Sequence, residues 1–236
     1  MPSASPNLMT RVFPFLVLLA MLAALYVVWF YAPIEAEQGV VQKIFYFHVP
    51  LAWNAFLAFT LVFIFSWRYL ATRSRKWDIR AHAAAEVGVL FTTLVLITGP
   101  IWAKPIWGVW WTWDARLTLT LVLWLIYVAY LMLRHYVESD EKRATLSAIV
   151  GIIGFVDVPL VYFAIRWWRT QHPQPVIAGG DDSGLDPAMA TTLYVCLFAF
   201  TLLFIYLYRR RTVLEEIQDA VDELHNREEM LEGASR

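Results

Sequence analysis

The chain alternates between long apolar stretches and short charged ones. Phe13–Ala32, Pro50–Trp67, Val87–Ala103, Leu117–Leu133 and Pro187–Tyr208 contain no charged residue, and Ala144–Ile165 contains one, Asp157. A helix needs roughly 20 mainly apolar residues to cross the hydrocarbon core of a bilayer, so each stretch is a candidate span. Backbone polar groups in lipid must be satisfied within a helix or a closed barrel. Barrel strands alternate apolar and polar positions, whereas these runs are continuous. The pattern predicts an all-α integral membrane protein with six transmembrane helices. The first run is too long for the apolar core of a signal peptide and lacks a small-residue cleavage site, so it reads as a retained anchor.

The charges between the runs predict the orientation. One side carries Arg11, Arg68, Arg73, Arg75, Lys76, Arg80, Arg134, Lys142, Arg143, Arg209, Arg210, Arg211, Arg227 and Arg236; the other has Lys43, Lys104, Arg116, Arg166 and Arg169. The excess of Lys and Arg marks the cytoplasmic side. Both termini are therefore expected in the cytoplasm, and the three remaining loops face outward, into the periplasm of a Gram-negative cell. Residues 1–211 read as one six-span membrane domain, with an interfacial tryptophan-rich segment at 104–118. Residues 212–236 read as a charged tail, helical because Ile217, Val221 and Leu224 recur at helical spacing.

Composition narrows the chemistry. Charged residues are 17% of the chain, below the quarter or so of a soluble domain. Cys196 is the single cysteine, which excludes an internal disulfide and a CxxC motif, and a CxxCH haem-attachment site is absent. A phosphate-binding loop, a Ser/His/Asp set and paired catalytic carboxylates are missing too, so any ATPase belongs to another chain and the protein reads as a receptor rather than a turnover enzyme. Asp157 within a span is expected to face the bundle or to be protonated. Glu86 reads as a helix-packing group, and Cys196 as a small apolar residue.

The histidines sort by loop parity whichever way the protein inserts. His48, in the loop before the second span, and His172, in the loop before the sixth, open on one side; His82, His135 and His225 fall on the other. The loop between the third and fourth spans shares the His48 side and reads Lys104-Pro-Ile-Trp107-Gly-Val-Trp110-Trp111-Thr-Trp113-Asp114-Ala-Arg116. If this segment is helical, Trp107, Trp110, Trp111 and Asp114 fall at i, i+3, i+4 and i+7, one stripe with Trp113 on another side. Three indoles in a row would offer an apolar platform for a planar macrocycle. The plainer alternative is an aromatic belt at the membrane interface. Two histidines underfill a zinc site but suffice as axial ligands of haem iron.

At these residues the sequence resembles the WWD haem-handling family, and within it the CcmC, or haem exporter protein C, group. The resemblance rests on Trp107 to Thr118, on Phe45-Tyr46-Phe47-His48-Val49-Pro50, on Trp167-Trp168-Arg169-Thr170-Gln171-His172, and on the length and span count. It implies haem b held transiently at the outer face, with His48 and His172 as axial ligands. Trp107, Trp110, Trp111, Trp113 and Asp114 would form the haem platform and the surface for the haem chaperone CcmE, which takes the haem for cytochrome c maturation. The ABC transporter subunits CcmA and CcmB and the small single-span protein CcmD are the further partners it implies, in the bacterial inner membrane. Arg116 and Arg169 are candidates for the propionates, with headgroup contact or Asp114–Arg116 pairing as the plainer alternative. The family's second histidine usually sits between Leu and Gln; here it lies between Gln171 and Pro173.

Overall fold

A computed structural model describes residues 8–168, 170–173 and 185–234. The helices are α1 (Leu8–Tyr26), α2 (Phe45–Thr72), α3 (Arg75–Trp107), α4 (Ala115–Tyr136), α5 (Asp140–Phe155), α6 (Asp157–Trp167) and α7 (Pro187–Ala234). Among the described residues six helical stretches are long and apolar enough to cross a membrane, with α5 and α6 together forming the fifth. The protein is a multi-pass, all-α membrane protein. Its outer surface is what lipid requires: Phe15, Leu18, Leu19 and Leu22 of α1 are all exposed.

The helices run further than the apolar stretches that mark them. α2 begins at Phe45, after a 3-10 turn over Val40–Ile44. His48 therefore sits in the first turn of a helix rather than in the loop expected from hydropathy, and Pro50 lies inside that helix, past its first turn. α1 widens into a π turn at Val27–Tyr31, and the buried Lys43 ammonium donates to the loosened carbonyls of Val28 (2.8 Å) and Trp29 (3.3 Å). α7 continues unbroken from the last span through residue 212 into the charged tail.

α2 and α3 form the centre of the bundle. They approach closely because their contact is built from small residues: Ala83, Ala84 and Ala85 are fully buried, and a Cβ on Gly88 would come within 2.6 Å of the Phe59 ring. Phe59 stacks on Tyr127 of α4 at 3.8 Å between ring centroids. Phe91 and Phe204 extend the same core toward α7.

Candidate functional site

At the end of the bundle opposite the arginine-rich loops lies a largely apolar cleft between α2, α3, α4 and the segment after α6. α2 contributes His48, Ala52, Ala55 and Phe56; α4 contributes Arg116, Leu117, Thr120 and Leu123, successive turns of one face. α3 lines it with Thr92, Val95, Gly99, Ala103, Ile106 and Trp107. The helical stripe on α3 thus runs backward from Trp107 into the membrane.

It does not run forward. α3 ends at Trp107, and Gly108 takes a left-handed conformation (φ 76°) that other residues adopt only with strain. Lys104 secures this end by donating to the Gly108 carbonyl at 2.8 Å, which gives that cation a local partner. Residues 108–114 are non-helical. The expected stripe of Trp107, Trp110, Trp111 and Asp114 is therefore divided. Trp107 and Trp111 line the cleft, while Trp110 (58% exposed) and Trp113 (76% exposed) face outward. Trp111 and Trp113 meet edge to face at 5.8 Å.

Asp114 has a local task. It is the N-cap of α4, accepting from the Leu117 backbone N–H (3.1 Å) and from the Thr112 hydroxyl (2.9 Å). Arg116, in the first turn that Asp114 caps, reaches into the cleft. One of its guanidinium nitrogens, Nη1, is buried without a hydrogen-bond partner among the described residues. Arg169, the other sequence candidate for an anion, lies outside the described residues.

Both histidines reach the cleft, and each is held through Nδ1. His48 Nδ1 is 2.8 Å from the Thr98 hydroxyl oxygen. That hydroxyl also lies 2.8 Å from the Leu94 carbonyl, and when it donates there it accepts from His48. In that arrangement Nδ1 carries the proton and Nε2 the lone pair, as is typical of a ligating imidazole. Trp102 packs edge to face against the His48 ring at 5.8 Å, and its indole N–H donates to Gln38 at 3.0 Å. His172 donates from Nδ1 to the Pro173 carbonyl at 2.9 Å, which again leaves Nε2 free. Burial first, and the nearby Arg116 guanidinium second, push the His172 imidazole down to about 3, so it is neutral at physiological pH.

Thr98, Trp102 and Gln38 escaped the sequence reading. The usable sign was the α3 periodicity: stepping back by three or four from Trp107 reaches Ala103, Gly99 and Val95, and Thr98 and Trp102 flank that stripe. Asp157 is buried, as expected of an acid within a span, at the break between α5 and α6. Glu86 packs by ion pairing with Arg211 of α7, and Cys196 is buried among apolar neighbours.

The chain matches the family described as CcmC, heme exporter protein C, over residues 1–227. It is 37% identical to the heme exporter protein C of Bradyrhizobium diazoefficiens over 177 residues, 75% of this chain and 67% of that one. With the Escherichia coli K12 protein of the same name it shares 33% over 173 residues, 73% and 69% of the two chains. The Haemophilus influenzae heme exporter protein C is 33% identical over 232 residues, 92% of each. The chain belongs to the CcmC family.

Proposed function

We propose that this member of the CcmC family binds haem b transiently in the cleft, through His48 and His172, and delivers it to the haem chaperone CcmE for cytochrome c maturation. The observation that carries the reading is the pair of imidazoles on one apolar cleft, each with Nδ1–H engaged and Nε2 free. That its relatives are heme exporter proteins C supports haem as the cargo.

The chain's own groups divide the work. Thr98 fixes the tautomer and the ring orientation of His48, and the Pro173 carbonyl does so for His172. Arg116, with a donor nitrogen left over, would take a propionate in a site where low dielectric strengthens a charge-assisted hydrogen bond; Arg169 is the second candidate. Trp107 and Trp111 supply the apolar wall. Trp110 and Trp113 present their rings outward and would form the contact surface for the chaperone, so holding and handing over haem fall to different tryptophans. The cleft would face the periplasm from the bacterial inner membrane, with CcmA, CcmB and CcmD as the other partners. The charge asymmetry of the loops supports that sidedness.

The test separates holding from handing over. Trp110→Ala with Trp113→Ala should leave haem content per mole of protein unchanged while lowering transfer of haem to purified chaperone. Loss of bound haem in that variant, with transfer in proportion, would remove the exposed tryptophans from the delivery role.

A further inference from the structure

Three cations converge on one indole at the arginine-rich end of the bundle. Arg68 of α2 and Lys76 and Arg80 of α3 all lie over the Trp77 ring, at 4.7, 5.1 and 5.1 Å from its centroid. Two helices supply them, and among the described residues no other ring has more than one cation over it. Packing holds the ring in place. Phe65 of α2 stacks on the half-buried Trp77 at 5.7 Å between centroids, and Tyr208 of α7 stacks on Phe65 at 6.3 Å.

These cations lack a counter-charge. On the same face Arg75, Arg134, Arg143 and Arg211 each pair with a carboxylate. The side chains of Arg68, Lys76 and Arg80 have no ion pair or hydrogen bond among the described residues. Asp78, which lies between Lys76 and Arg80 in sequence, is buried and accepts from Arg75 and Arg134 instead. An indole face attracts a cation but carries no net charge, so it gathers the three without neutralising them. No two lie farther apart than about 10 Å, roughly the Debye length at 0.1 M ionic strength, so they repel one another. An anion among them would relieve that repulsion.

The place of the cluster in the fold narrows the choice of anion. Phe65 belongs to the apolar run 50–67, and Tyr208 closes the last apolar run. The Trp77 ring packed on Phe65 therefore stands where hydrocarbon gives way to headgroups, a level that tryptophan favours. One helical turn from Arg68 into that run, Ile64 (43% exposed) and Trp67 (62% exposed) present an apolar strip outward. Ile64 and Arg68, four residues apart, share one face of α2. We propose that Arg68, Lys76 and Arg80 bind the phosphate of an anionic phospholipid, with an acyl chain lying along Ile64 and Trp67. The planar guanidiniums can each take two phosphate oxygens, and basic clusters at the end of a span attract anionic lipid. A zwitterionic lipid would bring an ammonium among three cations, so the site discriminates against it. α2 carries His48 near its other end, but the lipid site holds whatever the cleft binds.

Native mass spectrometry of the full-length protein in detergent, titrated with phosphatidylglycerol, tests this. Wild type should retain phosphatidylglycerol under conditions that strip phosphatidylcholine of the same chain length. Arg68→Gln, Lys76→Gln and Arg80→Gln together should weaken that binding roughly 100-fold, about fivefold for each cation near a membrane surface. Arg209→Gln with Arg210→Gln, which removes charge from the same face at the end of the sixth span, should leave it unchanged. A photoactivatable phosphatidylglycerol reads the site in the wild type without a substitution and should label residues 64–80. Millimolar inorganic phosphate should not displace the lipid, because the acyl chain holds it as well. Equal retention of the two lipids, wild-type binding in the triple variant, equal loss in the Arg209 and Arg210 variant, labelling outside 64–80, or displacement by inorganic phosphate each overturns the proposal.

Discussion

On the arginine-rich face, Asp78 accepts from Arg134 and Arg75, Arg75 reaches on to Asp219, and Arg211 pairs with both Glu86 and Glu215. His82 lies in this network, its Nδ1 3.0 Å from Glu215 and its Nε2 3.7 Å from Glu86. At the opposite end, Arg116 has a guanidinium nitrogen and Trp111 an indole N–H, both buried without partners among the described residues, and His48 and His172 both line one cleft. Both ends hold histidines, carboxylates and arginines. His82, Glu86 and Glu215 even bring three ligand atoms within 4.8 Å of one another, yet both carboxylates already pair with Arg211. Residue type does not separate a structural cluster from a binding site here. The difference is that the guanidiniums and carboxylates of the network at the arginine-rich end pair with one another, whereas Arg116 Nη1 has no partner among the described residues. An unpaired buried donor costs about 1–3 kcal/mol, and a bound ligand that accepts from it recovers that cost.

The largest effect should come from breaking the satisfied end. Arg134→Met leaves Asp78 buried with only the half-exposed Arg75, and a broken buried pair costs about 3–5 kcal/mol. Thermal unfolding in detergent should show that loss. Asp78→Leu with Arg134→Met should recover most of it, and haem content per folded molecule should not change. Haem loss at unchanged stability would erase the distinction between the two ends.

Arg116→Met should have the opposite signature. Removing a buried guanidinium whose Nη1 has no partner among the described residues is expected to leave stability unchanged or raised. Haem affinity should fall by about 1.5–3 kcal/mol, the range for a hydrogen bond to a charged group, or roughly 10- to 150-fold. Titration of the haem-free protein alongside its thermal midpoint reads both signs. A destabilised Arg116→Met protein with normal affinity would make Arg116 a structural residue like Arg134.

A smaller effect sharpens the role of Asp114. Loss of its cap in Asp114→Ala should cost about 1 kcal/mol, whereas Asp114→Asn keeps a good N-cap and should stay within a few tenths. If Asn and Ala impair haem transfer equally while only Ala lowers stability, the Asp114 charge belongs to the chaperone surface and the cap is incidental.

Much of this architecture was legible in the chain because lipid imposes a simple rule. Six apolar runs gave six spans, and loop parity put His48 and His172 at one end whatever their ligand. Residues 107–114 were misjudged because the spacing of Trp107, Trp110 and Trp111 fits a helix. The punctuation against it was present in Gly108, a helix-ending residue, and in Asp114 just before an apolar run, a helix-starting one. Local stop and start signals outweighed periodicity. Other features depended on contacts between distant residues. Thr98 is 50 residues from His48 and Asp78 is 56 from Arg134, and no local pattern announces such a pair. That Arg116 Nη1 has no partner among the described residues appears only once its neighbours have been placed.

The central claim is that two neutral imidazoles in one cleft receive haem iron through Nε2. The most direct test is the absorption and magnetic spectrum of the purified protein loaded with haem, beside His48→Ala and His172→Ala. Wild type should be six-coordinate with two imidazole ligands, and each single variant should lose that signature, with added imidazole restoring it. A bis-imidazole spectrum that survives in both variants, at unchanged haem content, would contradict the account.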